Sequence, residues 1–189
     1  MKRYARLLLG VSLVFALTVN AVADQNIQLK SSAYTPKVSA KVADLKDKGI
    51  SLLAFKNTAG DTRRHAYFNK AQGITYNSAD EILEDYLWYS MRKYLWAAGM
   101  RVIQAMWSGT PDAPGFELNI NSWTDTGFFC EVIITKPTGE PPVQKGFSIA
   151  FDPPGANDSS LLETRAYESL DKIFETIFTD PAIKSFLIK

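Results

Sequence analysis

One cysteine, one histidine and almost no net charge set the first limits on this chain of 189 residues. A lone Cys130 cannot close an intramolecular disulfide, so the fold must rest on packing even in an oxidising compartment. A single histidine and a single cysteine fall short of the nitrogen and sulfur ligands that zinc sites use, and no carboxylate run has the spacing of a calcium loop. Neither a metal nor a cofactor is expected. No glycine-rich phosphate loop follows an apolar stretch. With 21 basic and 20 acidic residues, the composition offers no ground for nucleic acid or an anionic membrane as partner, because both call for a clear basic excess. Internal repeats and low-complexity segments are missing too.

The same scarcity bears on catalysis. A Ser-His-Asp or Cys-His nucleophile system would have to use His65, which stands between Arg64 and Ala66 in a polar stretch with no nucleophile turn around it. Cys130 shares one face of an alternating segment with Phe128, Val132 and Ile134, and a thiol among apolar side chains stays protonated and inert. No catalytic residue is assigned, and a hydrolase with His65 as base ranks last among the functions considered.

What the chain does have begins at its start. Lys2, Arg3 and Arg6 precede an apolar run from Leu7 to Val19, and Ala21-Val22-Ala23 follows, in the layout of a signal peptide cleaved after Ala23. The apolar run is shorter than the roughly 20 residues that span a bilayer. The expectation is an exported, periplasmic protein with no stable membrane insertion after cleavage. Losing this leader removes three basic residues and no acidic one, which leaves the mature chain at a formal charge of −2.

Residues 24–48 read as a polar, extended lead-in, and residues 49–189 as a single α+β domain. Ile50–Phe55 is apolar enough for a buried strand, and the polar stretch Lys56–Asn77 that follows is long for a connection. Ser78 and Glu81 have the spacing of a capping box, so a helix is expected from there, with Leu83, Leu87, Met91, Tyr94, Leu95 and Ala98 on one face and Gly99 ending it. Arg101–Trp107 reads as a strand. Phe116, Leu118 and Ile120, then Phe128, Cys130, Val132 and Ile134, alternate with polar neighbours as strands do, and Val143–Phe151 completes a meander. A second box, Ser160 to Glu163, opens a helix with the stripe Leu162, Ala166, Leu170, Ile173, Phe174 and Ile177, and Asp180-Pro181 starts a short last one. The fold class predicted is a two-layer α+β sandwich: one mostly antiparallel sheet of about five strands, with two main helices on one face.

Two surfaces are candidates for binding. At 100° per residue, Tyr89, Arg92 and Trp96 point away from the apolar stripe of the long helix, and this is the composition of a protein-binding hot spot. Arg63, Arg64 and His65 in the polar loop, with Trp107 and Trp123 elsewhere, offer a second possibility, a site for a small ligand, a glycan or an anionic group.

Three segments carry a family resemblance: Ala54-Phe55-Lys56-Asn57 in the first strand, the helix end Leu95-Trp96-Ala97-Ala98-Gly99-Met100-Arg101-Val102, and Phe116-Glu117-Leu118-Asn119-Ile120. In element order the chain from Ile50 to Phe178 resembles small Gram-negative cell-envelope proteins related to ABC-transport auxiliary lipoproteins. That resemblance implies a non-enzymatic accessory protein whose partners are envelope proteins of transport or secretion machinery. The lipidation cysteine of those proteins is missing, which removes the expected anchor.

Overall fold

A computed structural model of the chain describes residues 25–103, 113–153 and 158–188. The expected signal peptide lies outside the described residues. The elements are β1 (Gln25–Gln28), a 3-10 turn (Ala40–Leu45), β2 (Gly49–Asn57), β3 (Ala66–Asn69), β4 (Ile74–Asn77), α1 (Leu83–Ala97), β5 (Arg101–Ile103), β6 (Gly115–Trp123), β7 (Gly127–Thr135), β8 (Val143–Ala150), α2 (Ser159–Thr179) and α3 (Pro181–Ile188).

Five strands form the main sheet in the order β5-β2-β6-β7-β8. The α+β class holds, but the sheet is mixed and not mostly antiparallel: β2 runs parallel to both β5 and β6, and only the β6-β7-β8 meander is antiparallel. The physical reason is the crossover. Helix α1 carries the chain back to the end where β2 began, so the strand that follows must run in the same direction. Ile50, Leu52, Phe116, Leu118, Phe128, Cys130 and Val132 line the inner face, and the apolar stripes of α1 and α2 close over them in one continuous core.

A second sheet, in the order β1-β4-β3, was not expected. The polar stretch 56–77 contains the hairpin β3–β4, and the lead-in adds β1 parallel to β4. The lead-in is therefore part of the domain. It buries Ile27, Leu29, Tyr34, Val42 and Leu45 and runs as a strap across both helices. Along the strap, the Tyr34 hydroxyl donates to Asp171 at 2.6 Å and the Ser31 hydroxyl to Glu81 at 2.6 Å. The Lys93 ammonium donates to the carbonyls of Ser31, Ser32 and Tyr34 at 2.7–2.8 Å.

Helix ends show where local patterns prevail and where tertiary contacts do. Gly99 has φ +79, its amide donates to the Trp96 carbonyl, and the Met100 amide donates to Leu95, which completes the expected left-handed stop. Neither capping box forms. The Ser78 hydroxyl donates to the carbonyls of His65 and Glu81, the Glu81 carboxylate turns to the strap, and α1 starts at Leu83 behind an apolar Ile82. At α2 the cap is Asp158, which accepts from the amides of Ser160 and Leu161.

Four aromatics tie the small sheet to the rest of the core. Tyr76 stacks on Tyr67 at 4.7 Å, Tyr67 on Trp123 at 4.7 Å, and Trp123 faces Tyr86 of α1 at 6.2 Å. Beside them Asp125, 6% exposed, accepts from the Asn69 amide at 2.7 Å and from the Tyr76 hydroxyl at 3.5 Å, while Arg165 of α2 donates to its backbone carbonyl. Burial raises the Asp125 carboxyl above the usual range, and its donors only partly offset that. A carboxylic acid with a raised folded value contributes most stability while protonated, and loses that contribution as pH climbs from about 4 through the folded value. Asp125→Asn is accordingly expected to flatten the fall in melting temperature as pH rises above about 4 and to leave the protein at least as stable at pH 7. Asp171 is raised by burial as well, so part of the slope should survive. An unchanged slope in thermal melts would show that Asp125 is ionised in the fold without penalty.

Among the described residues, no helix is long and apolar enough to cross a membrane.

Candidate functional site

Helix α1 turns one side to the core and the other to solvent. Leu83, Tyr86, Leu87, Ser90, Met91, Tyr94 and Leu95 are buried. The opposite ridge, at helical spacing, is Asp85, Tyr89, Arg92 and Trp96. Tyr89 is 44% exposed and Trp96 50%, which is far from the burial such large side chains normally reach. The ridge is ordered through its own contacts. The Arg92 guanidinium lies 4.0 Å above the Trp96 ring and 5.7 Å from Trp88, one turn to either side, and Trp88 meets Tyr89 edge-on at 5.1 Å. Cation-π stacking of this kind contributes about 0.5–1 kcal/mol at an exposed site and holds the indole in one orientation.

A groove runs along each flank of the ridge. On one side, about 260 Å³ is bounded by Ser31 of the strap, Glu81, Tyr89, Lys93 and Trp96. The bonds from Lys93 and Glu81 to the strap fix this wall. On the other side, about 400 Å³ lies between Trp88, Tyr89 and the β2 residues Leu53 and Phe55. Leu53 is itself exposed. The carboxylates of Glu84 and Asp85 also line the second groove. The arrangement presents rigid aromatic faces, a guanidinium and two shallow clefts, which suits recognition of another surface.

The sequence-predicted trio Tyr89, Arg92 and Trp96 is thus brought together. The second set is dispersed. Trp123, 2% exposed and stacked between Tyr67 and Tyr86, is out of reach of a surface ligand, and Trp107 lies outside the described residues. His65 Nδ1 sits 2.9 Å from the Glu81 carbonyl, which can only accept, so Nδ1 carries the proton and the ring staples the loop to the start of α1. The Arg63 guanidinium rests over Phe68 at 5.2 Å, and Arg64 is exposed. The groove shared by Arg63 and Lys70 also holds the Asp61 carboxylate, which binds the Ser122 hydroxyl and the Trp123 amide. A carboxylate in that groove opposes an anion. Cys130 is buried on the inner face of β7, and burial pushes its thiol up to about 12. Among the described residues, no group of three or more His, Cys, Asp or Glu side chains is placed to hold a metal ion.

Trp88, Lys93 and the strap wall at Ser31 were missed by sequence reasoning. Trp88 was legible in principle, as another aromatic of the same helix one turn before Arg92. The wall was not, because it joins residues about 60 positions apart.

Together these features define a mixed-sheet α+β protein with an ordered aromatic ridge on its long helix. No family model and no curated protein matches the sequence. The fold is similar to the crystal structure of protein XCC0632 from Xanthomonas campestris, of family DUF330, with a TM-score of 0.55 and 10% identity over 87% of this chain and 95% of that one. A second solved structure, of an uncharacterized protein, aligns with a TM-score of 0.42 and 11% identity over 70% of this chain and 99% of that one.

Proposed function

We propose that this protein is a non-enzymatic accessory protein of the cell envelope, acting as an adaptor that binds another envelope protein through the α1 ridge. The observation that carries the proposal is the pair of half-exposed aromatics, Tyr89 and Trp96, with Arg92 stacked on Trp96 at 4.0 Å. Large aromatic side chains and arginine dominate interface energetics because they exclude water over a wide area with few rotatable bonds. The amino-terminal pattern of basic, apolar and small residues supports export to the periplasm. The element order, similar to auxiliary components of transporters, supports a partner in transport or secretion machinery.

The test is capture of partners from envelope extracts by the purified protein and by the Tyr89→Ala/Trp96→Ala double variant. Each truncation at a hot spot costs about 2 kcal/mol or more, about 30-fold in affinity, so the double variant should lose several hundred-fold where the two add. Its melting temperature should stay near that of the wild type, since neither ring is buried in the core. If the double variant captures the same partners as strongly, the ridge is not the docking face.

A further inference from the structure

Two carboxylates in the first turn of α1 stand without a partner among the described residues. Glu84 is half-buried, its Oε2 is closed to solvent and no donor reaches it. The next residue, Asp85, is exposed, and the ion pairs among the described residues all use other acids. The basic residues of α1 are Arg92 and Lys93. Arg92 stands seven residues past Asp85, about 10 Å along the axis, and lies on Trp96, while Lys93 is bound to the strap. The segment 104–112 contains no lysine or arginine. Acids in a first turn complement the helix dipole. That accounts for charge near solvent, and not for a carboxylate oxygen shut away from water, which costs free energy until a donor arrives.

Both acids line the groove between α1 and β2, whose volume of about 400 Å³ is at the small end of ligand sites, which run from about 300 to 1,000 Å³. Trp88 and Tyr89, edge-on at 86°, form an aromatic corner of it. Opposite them β2 is bulged: Leu52 pairs with Phe116 and Phe55 with Leu118, so Leu53 and Ala54 stand against Glu117 alone and line the groove. We infer that this groove receives an arginine side chain of the partner protein. Two carboxylates beside aromatic faces suit a guanidinium better than an ammonium, because the planar fork binds carboxylate oxygens while its flat side lies on a ring. These rings already accept such a group from within the chain, since Arg92 lies over Trp96 and against Trp88. An anionic side chain would add repulsion, and a neutral one would leave the charge of two acids unbalanced.

The inference rests on the adaptor reading and deepens it, by stating what the partner brings to the groove beside Tyr89, the residue that ridge and groove share. It also gives the docking face a direction. Asp85 opens α1 and Trp96 lies eleven residues on, near its end, so the partner's arginine sits about 16 Å from the part of the partner that covers Trp96.

The probe is Nα-acetyl-arginine amide, with its uncharged citrulline counterpart of nearly equal shape as control. Titrated into the isotope-labelled protein, the arginine probe should move the Trp88 indole resonance, assigned with Trp88→Phe, saturably at millimolar concentration. The citrulline probe should not. Glu84→Gln/Asp85→Asn keeps the shape of both side chains and should bind arginine at least about 10-fold more weakly, through loss of the charge-assisted bonds, with an unchanged circular dichroism spectrum. Comparing the two probes on wild type needs no variant to fold. The inference is overturned by the absence of a saturable shift with arginine, by an equal shift with citrulline, or by an undiminished shift in the double variant. An equal shift of the Trp96 indole would overturn it too, as loose contact of a cation with any exposed ring. The two proposals fail separately. If arginine binds here while Tyr89→Ala/Trp96→Ala captures partners undiminished, the ridge reading falls and the groove stands; if capture depends on the ridge and arginine does not bind, the groove alone falls.

Discussion

Trp123→Ala is expected to destabilise the protein by about 3–5 kcal/mol, the cost of emptying a large aromatic site in a close-packed core. Against a total of about 5–15 kcal/mol for an ordinary domain, that removes a fifth or more of the stability and lowers the melting temperature by roughly 10 °C. The size of the effect follows from position. Trp123 ends β6, and its ring is the middle of the stack that joins Tyr67 and Tyr76 of the small sheet to Tyr86 of α1, with Phe128 edge-on at 5.3 Å. The β3–β4 hairpin is also held by Asn69 and Tyr76 on Asp125 and by the bridge between Phe68 and Thr124, while β1 packs against α2. Its loss should be local as well as global, with trypsin cutting first at Arg63, Arg64 or Lys70. A variant that melts within a degree or two of wild type would mean that the stack contributes no more than its exposed parts.

Phe174→Ala should cost a similar amount, about 3–5 kcal/mol, and open a different region. The Phe174 ring is fully buried and lies 5.4 Å from Tyr94 of α1 and 6.3 Å from Tyr34 of the strap. It is the point where α1, α2 and the lead-in meet. Without it, the strap keeps its surface ties, Lys37 to Glu168 and Lys41 to Glu175, which are exposed pairs contributing about 0–1 kcal/mol each. Proteolysis should then begin at Lys37, Lys41 or Lys46 while the β3–β4 hairpin stays protected. Identical cleavage patterns for the two variants would show that strap and hairpin open as one unit. Neither substitution touches Tyr89 or Trp96, so partner capture at a temperature where both variants are folded should match wild type.

The β6-β7-β8 meander, the apolar stripes of α1 and α2 and the stop at Gly99 were all legible in the sequence, since each depends on side chains a few positions apart. The aromatic ridge was legible for the same reason: helical spacing alone puts Tyr89, Arg92 and Trp96 opposite the buried stripe. The pairing of distant short segments was not. Four-residue strands such as Gln25–Gln28 and Ile74–Asn77 carry too little periodicity to be told from loop, and they become strands only because each supplies the other's backbone partners. The first capping box misled because Glu81 has a better partner in Ser31, 50 residues away, and the second because Asp158 takes the amides of Ser160 and Leu161. Trp123 was assigned to a ligand site because a tryptophan near a turn looks the same in sequence whether it faces solvent or the core. Local chemistry along the chain thus determined the helices, the meander and the ridge. Contacts between residues far apart decided the parallel pairing of β2, the second sheet and the wall beside the ridge, because loop closure over such distances yields to the summed burial of many side chains and to no single spacing.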